Sequence, residues 1–218
     1  NPFVGLRPFE SRDSLFYFGR RQQTRALLQQ LYANRFVAVI GSSGCGKSSL
    51  VRAGLIPNLE AGFLVQDRDL WQIATFKPGD APLANLANVL ASVAGSADAP
   101  EAAAEPATAV ERRDAPALSD CLGILLERED SNLLVVVDQF EELFRFQQVR
   151  TAQVREEAAD FVALLLHLAV QTTAPVYVVL TMRSDFLGEC DAFQGLPEAM
   201  NQSQYLVPRL TRQQRREA

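Results

Sequence analysis

The sequence is poor in the residues that build metal and redox centres. Its 218 residues include one histidine, His167, and three scattered cysteines, Cys45, Cys121 and Cys190. No CxxC or Cys/His ligand spacing occurs, which excludes a structural zinc site and leaves reduced thiols as the default. His167 lies within Leu164-Leu165-Leu166-His167-Leu168 and reads as a partly buried helix residue rather than a catalytic one. Long apolar runs are missing too. The longest nearly uncharged stretch, 161–171, is too short to span a bilayer, and no basic segment followed by an apolar one opens the chain. The expected location is therefore the cytoplasm. Positive charge is also short: 21 Lys and Arg stand against 26 Asp and Glu, for a net charge of −5. That balance argues against a surface that grips nucleic acid over its whole breadth. With 48% hydrophobic and 22% charged residues, what remains is an ordinary globular composition, long enough for one large α/β domain or a domain with a short appendage.

What is present is one strong motif. Gly41-Ser42-Ser43-Gly44-Cys45-Gly46-Lys47-Ser48 fits GxxxxGK[ST], the loop that wraps the phosphates of a nucleoside triphosphate. The apolar, β-prone run Phe36-Val37-Ala38-Val39-Ile40 precedes it, and Ser49 to Leu55 reads as the first turns of a helix. Gly41, Gly44 and Gly46 are expected to let the backbone reach φ > 0 and approach an anion. Their N–H groups, with those of Ser43, Cys45, Lys47, Ser48 and Ser49, form the expected phosphate nest at a helix start. Lys47 would reach the β- and γ-phosphates, and Ser48 would offer its hydroxyl to Mg²⁺. Cys45 reads as a small spacer.

A second half of the site lies further on. Leu133-Leu134-Val135-Val136-Val137 reads as a buried strand ending at Asp138, where a second magnesium ligand belongs. A helical turn starting at Asp138 would bring Glu141 and Glu142 to the same side, and either could orient an attacking water. The bland alternative is a solvated acidic helix start. Arg183 ends another apolar strand, 176–182, and would lie near the γ-phosphate; the alternative is an ion pair between Arg183 and Asp185. Arg20, at an expected helix start, is a weaker candidate for lining the pocket.

The remaining sequence alternates strands and helices, as in a parallel sheet covered on both faces. Residues 1–19 read as an extended lead-in that packs its aromatics on the domain, and residues 20–33 as a helix. Pro57 is expected to end or bend the helix after the phosphate loop. Leu70 to Phe76 reads as a strand, Lys77-Pro78-Gly79-Asp80 as a turn, and Leu83, Leu86, Ala87 and Leu90 mark a helix. Residues 91–117, dominated by Ala, Pro, Glu, Ser and Asp, read as a low-complexity mobile loop or insertion. The alternative is an alanine-rich helix whose length Pro100, Pro106 and Pro116 limit. Helices over 118–130 and 151–171 and a last strand at 205–207 complete a nucleotide-binding domain over 20–210. Thr211 would cap a final helical segment, 211–218. The chain starts at Asn1 rather than Met and is read as a segment of a longer protein.

Taken together, these motifs resemble the nucleotide-binding core of the novel STAND NTPases, a branch of the signal-transduction ATPases with numerous domains. The landmarks are 1–9 (NPFVGLRPF), Phe18-Gly19-Arg20, Gly41 through Leu55, Pro78-Gly79, 137–144 (VDQFEELF) and 180–187 (LTMRSDFL). The resemblance implies a P-loop α/β/α sandwich with a mainly parallel five-stranded sheet in the order 5-1-4-3-2. It implies ATP and ADP as ligands with Mg²⁺, Gly19 and Arg20 near adenine, and Arg183 as γ-phosphate sensor. It also implies sensor repeats and an effector domain elsewhere in a longer chain, an ATP-dependent homo-oligomer, and roles in bacterial signalling or defence. Two departures stand out. Arg21 replaces the acid that usually follows Gly-Arg, and Gln139 stands where many motor ATPases place a catalytic glutamate, so hydrolysis is expected to be slow. The leading expectation is an ATP-driven regulatory switch. The alternatives are a remodelling ATPase acting on nucleic acid or protein, and a nucleotide-binding scaffold that does not hydrolyse.

Overall fold

The runs Phe36–Gly41, Ser131–Val137 and Val176–Arg183 are near-continuous apolar strands, which can be buried only in the middle of a layered structure, and that is where they lie. The computed structural model describes residues 7–62, 68–95, 100–147 and 152–209. The expected cap at Thr211, the 211–218 segment and the first residues of the lead-in fall outside them. In chain order the described elements are α1 (Arg21–Asn34), β1 (Phe36–Gly41), α2 (Lys47–Ser49), α3 (Ile56–Glu60), β2 (Leu70–Phe76), α4 (Pro82–Ala94), α5 (Pro100–Glu111) and α6 (Ala115–Arg128). β3 (Ser131–Val137), α7 (Glu142–Gln147), α8 (Ala152–Val170), β4 (Val176–Arg183), α9 (Leu196–Gln202) and β5 (Gln204–Leu206) follow. The strands form one sheet in the order β2-β3-β4-β1-β5, all pairs parallel. Read from the other edge, this is the 5-1-4-3-2 order that the resemblance implies.

Strand alternation divides the core in two. Ala38, Ile40, Val135, Val137, Val178 and Leu180 face α4–α6 and α8, while Val37, Val39, Leu134, Val136 and Val179 face α1 and the helix that follows the phosphate loop. Every residue of β1 and β3 is buried, as expected for strands covered on both faces. His167 is half-buried on α8. Among the described residues no helix is long and apolar enough to cross a membrane.

Three local expectations are corrected. First, the 91–117 stretch is helical over most of its described length. α4 runs to Ala94, and α5 carries Pro106 inside it yet buries Ala109 and Val110 in the core. Alanine's helix propensity prevails there, and Pro100 and Pro116 sit in the first turns of α5 and α6, where a missing N–H is harmless. The side chain of Asp114 accepts from Ala117 N–H at 3.1 Å and caps α6. Second, of the two outcomes expected at Pro57, an end or a bend, the helix does not end there. The helix widens to π geometry over Leu50–Leu55 and re-forms as α3 with Pro57 in the first turn. Third, the lead-in is not simply extended. Residues Ser11–Phe16 form a 3₁₀ helix; Phe9 packs on Tyr17 at 5.6 Å, whereas Phe16 and Phe18 stand about half exposed.

Candidate nucleotide site

The loop after β1 opens at the carboxyl edge of the sheet. Gly44 and Gly46 adopt φ of 70° and 94°, conformations that disfavour any side chain. Gly41 does not; its backbone belongs to β1. Its constraint is steric, because a Cβ there would lie 2.6 Å from Cys45 Sγ. Ser43 and Gly44 are exposed at the tip, and Cys45 N–H donates to Ser42 O at 3.3 Å. Lys47 is buried, and its Nζ donates to the carbonyl oxygens of Gly41 and Ser42, both at 3.0 Å. The ammonium is thus held beneath the loop.

Asp138 follows β3, and β4 lies between that strand and β1. Its side chain is only 3% exposed and gathers three donors. Ser48 Oγ donates to Oδ1 at 2.7 Å, Thr181 Oγ1 donates to the same oxygen at 2.6 Å, and Arg52 Nη2 donates to Oδ2 at 2.9 Å. Ser48 and Asp138, 90 positions apart in sequence, are therefore in direct contact. Thr181 and Arg52 had no expected role. The signals for them are visible in retrospect: Thr181 is a polar residue in an otherwise apolar strand core, and Arg52 follows Ser48 by one helical turn, on the same face.

The two glutamates diverge. No helix starts at Asp138. The chain passes through a turn in which Gln139 has a φ of 58°, with Gln139 N–H on Thr181 Oγ1 at 3.1 Å, and α7 begins only at Glu142. Phe140, fully buried, anchors this turn against Phe144 and Phe193. Glu141 is buried and turns toward β4, where its Oε2 accepts Arg183 N–H at 3.3 Å. Glu142 turns the other way, toward the outer strand β2, and its Oε2 accepts Gly79 N–H at 3.2 Å. The Arg183 guanidinium pairs with Asp185 and lies 5.7 Å from the Phe186 ring centroid, which is the alternative that the sequence left open.

Arg20 is 5% exposed and acts as a clamp: it donates to Pro208 O at 2.7 Å, just beyond β5, and to Cys45 O at 3.0 Å in the phosphate loop. Gly19 precedes it with a φ of 77°. Ser49 turns to the lead-in instead, its Oγ accepting Phe9 N–H at 3.1 Å. A cleft of about 850 Å³ runs from Arg20 and Phe18 along α1 to Pro57 and Asn58. Burial pushes the Tyr17 phenol on its wall up to about 12. The residues from Gly41 to Ser48 do not line this cleft.

The donor set suits a hard divalent cation. A hydroxyl and a carboxylate in contact match Mg²⁺, which takes one or two protein oxygens and completes its shell with water and phosphate oxygens. Among the described residues no group of three or more His, Cys, Asp or Glu side chains is placed to hold a metal ion.

Residues 2–218 match the family Novel STAND NTPase 1. The chain belongs to that family. It is thus an NTPase of the STAND type, and its fold recurs in solved structures. The Walker-type ATPase paby2304 of Pyrococcus abyssi superposes with a TM-score of 0.59 at 18% identity, covering 96% of this chain and 58% of that one. The Aeropyrum pernix ORC2 protein, in ADPNP–ADP complexes, gives 0.55 at 17% identity, with 92% and 49% covered. A chain in the E. coli MS115-1 HORMA:CdnC:Trip13 complex gives 0.54 at 14%, with 96% and 69% covered. At these identities the likeness is one of fold. This STAND NTPase chain spans about half the length of the Aeropyrum protein it matches.

Proposed function

We propose that this domain binds ATP with Mg²⁺, hydrolyses it slowly, and serves as a regulatory switch within a larger cytoplasmic signalling or defence protein. The observation that carries this reading is the contact between Ser48 and Asp138 at 2.7 Å beside the buried Lys47. The loop amides and Lys47 would hold the triphosphate, while Ser48 and Asp138 would hold the cation. When bound, Mg²⁺ neutralises phosphate charge and orients the γ-phosphate. Thr181 fixes Asp138 Oδ1, so the carboxylate is aimed before the nucleotide arrives. Glu141, whose Oε2 accepts Arg183 N–H at the end of β4, would take a proton from water. Glu142, held by Gly79 N–H on the β2 side, would instead position the 77–80 turn. Arg183 would have to leave Asp185 to meet a γ-phosphate, and that exchange of partners would tell triphosphate from diphosphate. Gly19 and Arg20 would border the base.

A switch requires that the two nucleotide states differ in their contacts with neighbouring domains or copies. For the full-length protein, the expected result is larger assemblies with an ATP analogue than with ADP by light scattering. Phosphate release should be slow and should not respond to DNA. Fast, DNA-stimulated release would favour the remodelling ATPase instead, and no release under activating conditions would favour the scaffold.

A further inference from the structure

The lead-in is fastened to the same helix that carries Lys47 and Ser48, and the fastening reaches Asp138. Phe9 N–H donates to Ser49 Oγ at 3.1 Å, and Ser11 Oγ donates to Arg52 O at 3.0 Å. The Arg52 guanidinium is shared between two carboxylates: Nη1 meets Glu10 Oε1 at 2.8 Å and Nη2 meets Asp138 Oδ2 at 2.9 Å. Exposure falls along this relay, from 38% for Glu10 through 21% for Arg52 to 3% for Asp138. An interaction at the partly exposed end therefore reaches the buried carboxylate.

We infer that Glu10 and Arg52 are positioning residues that couple docking of residues 7–16 to the cation affinity of the nucleotide site. The inference rests on the assignment of Asp138 as the magnesium-side carboxylate. Its sign follows from charge. Arg52 places a fixed positive charge against Asp138, which opposes a divalent cation there, and Glu10 offsets that charge and shares the guanidinium. When Glu10 withdraws, Arg52 falls wholly to Asp138 and the cation is held less well. Linkage makes the effect reciprocal: a site occupied by nucleotide and Mg²⁺ draws Arg52 toward Glu10 and tightens the lead-in on the domain.

The test is a Mg²⁺ titration of ATP-analogue binding to the full-length protein, with a non-hydrolysable analogue as probe. Glu10→Gln is expected to raise the Mg²⁺ half-saturation by roughly three- to tenfold, the size of coupling between charges in contact. In an Arg52→Gln background the same substitution should change nothing, because the relay is already cut. Hydrogen exchange supplies a readout independent of turnover and of the Arg52 variant. Analogue with Mg²⁺ should slow exchange over residues 7–16 in the wild type and not in Glu10→Gln. An unchanged half-saturation in Glu10→Gln, an equal shift with and without Arg52, or exchange over 7–16 indifferent to Mg²⁺ overturns this inference alone. Loss of Mg²⁺-dependent binding in the wild type overturns it together with the assignment of Asp138.

Discussion

The hydroxyl of Thr181 lies 2.6 Å from Asp138 Oδ1 and also accepts the N–H of Gln139 at 3.1 Å. One buried side chain on the central strand β4 therefore fixes both the carboxylate and the turn that follows it. Thr181→Val keeps the shape and removes the hydroxyl. It is expected to cost about 1–3 kcal/mol of unfolding free energy, because it leaves buried polar groups without a partner. Denaturant unfolding measures this, and no change in midpoint would remove Thr181 from the account.

The divergence of Glu141 and Glu142 separates their roles. Glu141→Gln is expected to slow phosphate release by about 10²–10⁴-fold, the range of a lost general base, while sparing ATP affinity. Glu142→Gln should slow it far less. Single-turnover assays on the full-length protein decide the matter, and equal effects would contradict the assignment.

Gly41 and Cys45 form a steric pair. Gly41→Ala is expected to weaken nucleotide binding, because its Cβ would meet Cys45 Sγ at 2.6 Å and displace the phosphate loop. Cys45→Ala removes the obstructing sulfur and should restore binding in the double variant. Failure of that rescue would show that the loop rejects a side chain at position 41 for another reason.

Two of the thiols should be unreactive near neutrality. Burial raises the pKa of both Cys121 and Cys190 to about 11, so each is held as the inert thiol near neutrality and gains thiolate only as the pH climbs toward that value. In the folded protein at pH 8, alkylation of these two is expected to be slow and to accelerate with rising pH. Mass-spectrometric mapping checks this; rapid modification at pH 7 would contradict it.

Strands β1, β3 and β4 are legible in the sequence because a parallel strand buried on both faces carries a run of apolar residues that little else requires. The expected strand 70–76 coincides with β2, and those at 36–40, 133–137 and 176–182 agree with β1, β3 and β4 within two residues at each end. The loop Gly41–Ser48 and the strand-ending Asp138 were legible for a related reason: each sits at the end of such a run. Of the two readings of the 91–117 stretch, mobile loop or alanine-rich helix, the helix holds over the described residues; its alanines satisfy both, and only the burial of Ala109 and Val110 decides between them. Thr181 and Arg52 were hidden because their partner, Asp138, is 43 and 86 positions away. Pairings of that kind arise from strand order, which no local pattern encodes. The split of Glu141 from Glu142 depended on the left-handed turn at Gln139, a conformation that glutamine does not announce.

The most direct test of the nucleotide site is calorimetric titration of the full-length protein with ATP and Mg²⁺, wild type against Lys47→Ala. Saturable binding to the wild type that Lys47→Ala abolishes is the expected result. Equal affinity in both would contradict the proposal that the loop Gly41–Ser48, with Lys47 beneath it and Ser48 against Asp138, holds the nucleotide.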